Sequence, residues 1–421
     1  MPRPEEVFTP NSFPTLTYVE RQDTHFERRL AEEVRVAGVL ISVSGPSKTG
    51  KTVLVEGVLG PDRILKTSCG GVASHESLWD RVLDELGAPH SRESSTGVAE
   101  TKSTQVKAGG TTGIPFVLEG RAEATGGLEH EQVRNEAETH RRKGLPEVLA
   151  RLKRTGRVLV LDDLHYLDAH VRSQVSRSIR SLLEGGVTIV VCSVPHHRED
   201  LFHDNRDLQG RVSSLPIDYW NRQDLASIGW KGLKALGLSA DEEIVSELAT
   251  ESRGSPQLMQ LVCLSLCFEL SITGTSAVPK HLAVERDHLR NALRRAATKM
   301  EYLSTATRLL SIKTKSAALE LTLQSGATAK IARCLLQCIA NDPPAARFAL
   351  TNLMSRLRTI CSGSLPEPGV VEAVCRSMHQ ALVHPTSSDR PLEWDGSTRV
   401  LHVPDPYFLF YLRWSSYAGG S

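Results

Sequence analysis

Short apolar runs alternate with amphipathic stretches through the first half of the chain. Val36–Val43 (VAGVLISV), Arg157–Asp163, which ends in two carboxylates, and Val187–Val194 (VTIVVCSV) carry runs of Val, Ile and Leu and predict buried strands, and Arg63–Ser68 reads as a short second strand. Leu215–Tyr219 is a candidate fifth strand. Between these runs the period changes to that of a helix. Phe26, Leu30 and Val34 form one stripe over Asp23–Arg35, and Leu78, Val82 and Leu86 form another over Ser74–Leu86, which Gly87 stops. Further helices are predicted from Val53, over Leu145–Arg154, and after Asp163. Strands separated by helices imply an α/β fold with a doubly wound parallel sheet.

The second half reads differently. From Asn221 to about Ile272 the pattern is helical, with Asn221 as an N-cap and Asp224 three residues on. Gly237 and Gly254-Ser255-Pro256 separate these helices, and Gly274–Pro279 reads as a linker. Helical patterns recur over residues 283–310, 329–340, 344–359 and 368–383. A hairpin follows, Leu392–Ser397 with Arg399–Val403, its turn at Asp395-Gly396. Tyr407–Trp414 (YFLFYLRW) is the densest aromatic run and is expected to pack inside the terminal domain or against the helical lid over 221–279, where it would relay the nucleotide state. The expected organisation is an irregular segment 1–17, an α/β domain 18–220, a helical lid 221–279, and a C-terminal helical, winged-helix-like domain 280–421. Within the α/β domain, residues 88–144 form a polar insert with too few large apolar residues to supply a core. Thr104–Ala108 and Phe116–Ala124 inside it read either as a hairpin arm or as parts of a disordered segment. No internal repeat is evident.

Gly45-Pro46-Ser47-Lys48-Thr49-Gly50-Lys51-Thr52 fits G-x-x-x-x-G-K-[ST] and lies between a predicted strand and a predicted helix. In that setting the sequence is a phosphate-binding loop, so the sheet is expected to be a P-loop NTPase domain. Gly45 and Gly50 let the backbone wrap and turn its N–H groups inward, so Pro46, Ser47, Lys48 and Thr49 are expected to line an anion cradle at a helix N-terminus. Lys51 would reach the β- and γ-phosphates of ATP, and the Thr52 hydroxyl would ligate Mg²⁺. Ligands on open parallel sheets bind at the carboxyl ends of strands. Asp162 and Asp163 stand at such an end. Asp162 suits hydrated Mg²⁺, and Asp163 suits the attacking water. Ser193, at the end of the next strand, is a candidate to sense the γ-phosphate or the attacking water. Arg206 and Arg211, in the loop beyond, are candidate arginine fingers for a neighbouring subunit, Arg211 the better of the two.

Composition adds limits. Net charge is +1, so no global field draws the chain to nucleic acid or to a membrane, and no run is apolar and long enough to span a bilayer. The eight cysteines, several within apolar helical runs, suit reduced thiols and a cytoplasmic setting. Cys263/Cys267 and Cys334/Cys338 have a spacing that four thiols around zinc could use, but small buried side chains account for them better. His196, His197 and His203 read as surface residues. The opening MPRPEEVFTPNSFP has no apolar stretch of the kind an export signal carries.

Leu161-Asp162-Asp163-Leu164-His165-Tyr166-Leu167-Asp168 resembles the DDLHxxD form of the second ATPase motif in STAND-type signalling ATPases, relatives of the AAA+ and origin-recognition ATPases. Tyr18-Val19-Glu20-Arg21-Gln22 resembles their FVGRE box, Gly254-Ser255-Pro256 their G-x-P lid motif, and Asp405-Pro406-Tyr407-Phe408 a DPxF segment of some prokaryotic members. The resemblance covers about residues 15–272 well and the end of the chain loosely. It implies Val19 and Pro256 beside the adenine, Asp162 on Mg²⁺ and Asp163 acting on water. Glu20 replaces the usual glycine. Asp163 stands where AAA+ motors carry the longer glutamate, which implies slow hydrolysis. The expected function is a nucleotide-dependent switch, with a protein partner or effector and a homo-oligomer as expected associations. A DNA-binding initiator or loader is the alternative, carried by Arg290, Arg294, Arg295 and Lys299 close together; a non-hydrolysing assembly module is the third reading.

Overall fold

The computed structural model describes residues 1–21, 24–88, 144–194, 208, 210–343, 345–383 and 390–415. Most of the insert and the residues around Arg206, His196, His197 and His203 lie outside this set, as do Gln22 and Asp23.

Five strands form one parallel sheet: β1 (Leu40–Ser44), β2 (Ile64–Ser68), β3 (Val158–Asp162), β4 (Ile189–Ser193) and β5 (Val212–Pro216), in spatial order β2-β3-β4-β1-β5. β2 and β3 are in register from Ile64↔Val158 to Ser68↔Asp162, and Leu159 to Leu161 of β3 pair with Ile189 to Val191 of β4. β1 and β4 are buried along their whole length, and β3 is buried up to Leu161. Strands covered on both faces have no solvent side, which is why they read as unbroken apolar runs. The sheet is the α/β P-loop fold expected from the alternation of strands and helices together with the Gly45–Thr52 motif.

Two boundaries differ from expectation. β1 starts at Leu40, because Gly38 turns the chain at φ +70° and leaves Val36 exposed. The fifth strand is Val212–Pro216, three residues earlier than expected, because Ser213 and Ser214 gave it no apolar run to read.

The chain divides into two compact units: Leu30–Ser42 with Val58–Ser214, and Met1–Arg29 with Val43–Gly57 and Leu215–Ser421. The core of the former joins strand residues Leu65, Leu159 and Leu161 to Leu78 of the helix His75–Glu85, Val148 of the helix 144–155, and Val175 and Ile179 of the helix Ala169–Glu184. Fully burying each such side chain stabilises the fold by about 1.5–3 kcal/mol. Ser74 caps its helix by accepting the Ser77 N–H at 3.2 Å.

The other unit opens with a segment expected to be irregular. It contains a one-turn helix, Pro4–Val7, and Val7 and Phe8 are fully buried. The Gln260 side chain pins this segment, accepting from Thr9 N at 3.2 Å and donating to Thr17 Oγ1 at 2.6 Å. The helices Arg222–Ala235, Glu242–Glu251 and Pro256–Glu269 follow, the first capped by Asn221, which accepts from Asp224 N at 2.8 Å as the sequence predicts. β6 (Leu238–Ser239) pairs in parallel with β7 (Lys280–His281). The single helical run expected over 283–310 is two helices, Arg286–Thr298 and Leu303–Leu310.

Beyond them come β8 (Glu320–Leu323), β9 (Thr328–Lys330), the helix Ile331–Ala340, β10 (Arg347–Ala349), the helix Leu350–Ile360, β11 (Cys361–Ser362), the helix Pro368–Leu382, β12 (Glu393–Asp395) and β13 (Val400–His402). β13 lies between β10 and β12, antiparallel to both. The expected hairpin is therefore present, but Asp395 pairs with Val400 and residues 396–399 make the turn. The Asp395 carboxylate holds that turn, accepting from Ser397 N at 2.9 Å and from the Ser397 and Thr398 hydroxyls at 2.6 Å, and these bonds hold its pKa far below the usual range. The sheet β11-β8-β9 was not expected. No helix among the described residues is long and apolar enough to cross a membrane.

The aromatic run forms the terminal helix Pro406–Trp414, with Phe408, Leu409, Phe410, Tyr411 and Leu412 buried. Its last residues reach the helix Glu242–Glu251. Arg413 donates to both Glu251 oxygens at 2.9 and 2.8 Å, and Trp414 Nε1 donates to Glu251 at 2.8 Å. Both charged side chains are only 7% exposed. Breaking such a pair leaves a buried charge. Glu251→Ala is therefore expected to lower the stability of this unit by about 3 kcal/mol, read from the urea midpoint. A loss below about 0.5 kcal/mol would show that Asp342, which also pairs with Arg413 at 2.8 Å, suffices alone.

Candidate functional site

Ser44 ends β1, Lys51 begins the helix Lys51–Leu59, and the phosphate loop lies between them. A Cβ at Gly45 would stand 2.4 Å from the Ile217 carbonyl oxygen, and Gly50 has φ +88°, so both positions require glycine. Lys51 Nζ donates to the carbonyls of Gly45 at 2.9 Å and Pro46 at 2.8 Å. Thr49 Oγ1 donates to the same Pro46 carbonyl at 2.9 Å. Thr52 follows in the first turn of this helix, the end at which the helix dipole favours an anion.

Three side chains brace the loop from outside the motif. Arg21 Nη2 and Trp220 Nε1 both donate to the Thr49 carbonyl, at 3.3 and 2.9 Å. The Arg21 guanidinium stacks 4.7 Å from the Trp220 ring and 5.3 Å from Phe26, and also donates to Asp218 O at 2.8 Å. Burial lowers the Arg21 pKa to about 10, so it remains a cation at neutral pH. Ser255 Oγ donates to the Lys48 carbonyl at 3.1 Å while accepting from Leu258 N at 3.2 Å as a helix cap. Pro256 begins the helix that Ser255 caps, and its ring lies 3.5 Å from where a Gly50 Cβ would be. Val19 is buried in this unit's apolar core, and Glu20 is exposed.

Lys48 engages Tyr302 and two residues at the start of the helix Pro406–Trp414. Its ammonium lies 3.7 Å from the centre of the Tyr407 ring, 3.7 Å from Asp405 Oδ1 and 3.4 Å from Tyr302 Oη. A cleft of about 630 Å³ adjoins this cluster, lined by Phe8, Asn11, Lys48, Lys299, Tyr302 and Tyr407 among others.

In the other unit, Asp162 is the last residue of β3, and its backbone carbonyl accepts from Cys69 N at 2.9 Å. Asp163 follows with φ +60° and starts the 3₁₀ turn Leu164–Tyr166, which buried Leu164 anchors. Both acids are half-buried. Burial and these two carboxylates push the Cys69 thiol up to about 12. Ser193, at the end of β4, is 1% exposed, and its Oγ has no hydrogen-bond partner among the described residues. Arg211 is exposed just before β5, its carbonyl accepting from Leu40 N at 2.9 Å.

The other candidates fall elsewhere. All eight cysteines are buried free thiols. Cys338 has Cys334, Cys361 and Cys375 as thiol neighbours, whereas Cys263 has Cys267. No cluster of three or more metal-capable side chains occurs among the described residues. In the basic group, Arg290 pairs with Asp287 at 3.6 Å, Arg295 and Lys299 lie over the Phe268 ring at 5.2 and 5.7 Å, and Arg294 is exposed.

No protein-family profile matches the chain, and no curated protein sequence matches it. Solved structures do resemble it. A Walker-type ATPase of Pyrococcus abyssi is 12% identical over 94% of this chain and 96% of that one, with a TM-score of 0.49. The Aeropyrum pernix ORC2 protein is 11% identical over 97% and 96%, also at 0.49. The Thermotoga maritima RuvB Holliday junction branch migration motor is 12% identical over 91% and 92%, at 0.41. At such identities and scores the likeness carries no conclusion about activity.

Proposed function

We propose that the chain is an ATP-binding, slowly hydrolysing P-loop ATPase that acts as a nucleotide-dependent switch of the STAND and AAA+ kind. The observation that carries this reading is the loop itself. Its glycines are sterically obligatory, Lys51 stands at a helix N-terminus, and Arg21, Trp220 and Ser255 fix the backbone around it. A loop held at this many points suits preorganised binding of a phosphate chain.

The donor set fits the nucleotide and its metal. Lys51 would exchange its two carbonyl acceptors for phosphate oxygens, which accept more strongly because they are charged. The hydroxyl of Thr52 and the carboxylate of Asp162 are hard oxygen donors of the kind Mg²⁺ takes, and bound Mg²⁺ supplies charge neutralisation. Asp163 accepts the proton of the attacking water, Ser193 contributes a hydroxyl to the γ-phosphate, and Arg211 serves the site of a second copy. Pro256 and Val19 are assigned to the base. The lid and a winged-helix-like terminal domain, residues 221–279 and 280–421, carry the nucleotide state to a protein partner. Support for a winged-helix-like domain comes from the order helix, β10, helix, β11, helix, β12, β13, with β13 in the middle of the sheet β10-β13-β12 and β11 paired elsewhere.

The basic residues on which a DNA-loader reading rests are in part engaged, by Phe268 and Asp287. Titrating the full chain with Mg²⁺–ATP in a calorimeter, with and without duplex DNA, tests both readings. The expected result is one site of about micromolar Kd, with duplex binding weak at physiological salt and unchanged by ATP. Nanomolar, ATP-dependent duplex binding that falls steeply with salt would favour the loader instead.

A further inference from the structure

Lys48 sits within the phosphate loop at φ +64°. A side-chain-bearing residue is strained there, and such strain persists only where the surroundings over-determine it. Here they do. Ser255 holds the Lys48 carbonyl, while Tyr407, Tyr302 and Asp405 hold the ammonium. Asp405 is itself fixed. It accepts from the Tyr302 hydroxyl and, as N-cap of the terminal helix, from Tyr407 N at 2.9 Å. The Lys48 and Asp405 side chains are 29% and 20% exposed, which makes this pair less screened than one on the open surface.

We infer that Lys48 and Asp405 form a latch through which the terminal helix holds the phosphate loop, so that docking of this helix and binding of nucleotide oppose one another. The inference rests on the reading of the loop as a nucleotide site and adds its regulation. Asp405 neutralises one of the loop's two lysines and places a carboxylate near the position of an incoming polyphosphate. Like charges so placed disfavour each other. Because the coupling is reciprocal, nucleotide loosens the latch as much as the latch weakens nucleotide binding. The far end of the helix stays tied through Arg413 and Trp414 to Glu251. Release at Asp405 therefore frees one end of an anchored element.

Asp405→Asn removes the charge yet keeps the helix cap, since Asn accepts the same N–H. In the full chain, Mg²⁺–ATP affinity by calorimetry is expected to rise by about fivefold or more. Amide exchange at Tyr407 to Phe410 should quicken without a change at Arg413. Tyr302→Phe, which removes a hydroxyl touching both partners and keeps the packing, should shift affinity in the same direction by a smaller factor. If both variants bind ATP within about twofold of the parent, or more weakly, while Lys51→Ala loses binding, the latch is wrong and the loop assignment stands. If Lys51→Ala also binds like the parent, the loop assignment fails and the latch fails with it.

Discussion

Lys51→Ala is expected to weaken Mg²⁺–ATP binding by roughly a hundredfold, about 3 kcal/mol. The ammonium is the charge closest in sequence to the helix N-terminus, and charge-assisted bonds to phosphate are the strongest single contacts the loop can offer. The loop should keep its shape in this variant. Thr49 still donates to the Pro46 carbonyl, and Arg21 and Trp220 still hold the Thr49 carbonyl. The melting temperature is therefore expected to stay within a few degrees of the parent, separating a lost ligand contact from a lost fold. Affinity within about threefold of the parent would remove Lys51 from the site.

Asp163→Asn should bind ATP like the parent and turn over about 10²–10⁴-fold more slowly, the range a general base contributes. The amide cannot take the proton. The backbone, by contrast, is undisturbed, because Asp163 sits at φ +60° and asparagine tolerates the left-handed region better than most residues. An alanine there would mix a conformational cost with the chemical one. Parent-like phosphate release by Asp163→Asn would assign the water to another group.

What could be read from the chain followed physical locality. β3 was legible because both faces are buried and every residue from Val158 to Leu161 is apolar. The loop was legible because its whole motif lies within eight consecutive residues, Gly45 to Thr52. β8 was not, because Glu320–Leu323 is short and has only Leu321 buried. Nor were the braces. Arg21 and Trp220 lie 28 and 171 residues from Thr49. Arg21 stood inside the pentapeptide quoted for its resemblance, yet nothing local says that its guanidinium ends on a loop carbonyl. Asp405 likewise stood in a noted motif, and its pairing with Lys48 depends on where the whole terminal helix packs. Trp220 and Tyr302 carried no signal in the sequence beyond being aromatic residues beside helix starts.

Slow hydrolysis of ATP by this loop and this acid pair is the proposed reaction. Phosphate release by the parent chain at saturating Mg²⁺–ATP tests it most directly. A measurable rate below about 1 per second is expected, lowered about 10²–10⁴-fold in Asp163→Asn. No release above background from a parent chain that binds ATP would contradict it and leave a nucleotide-binding module without the enzyme.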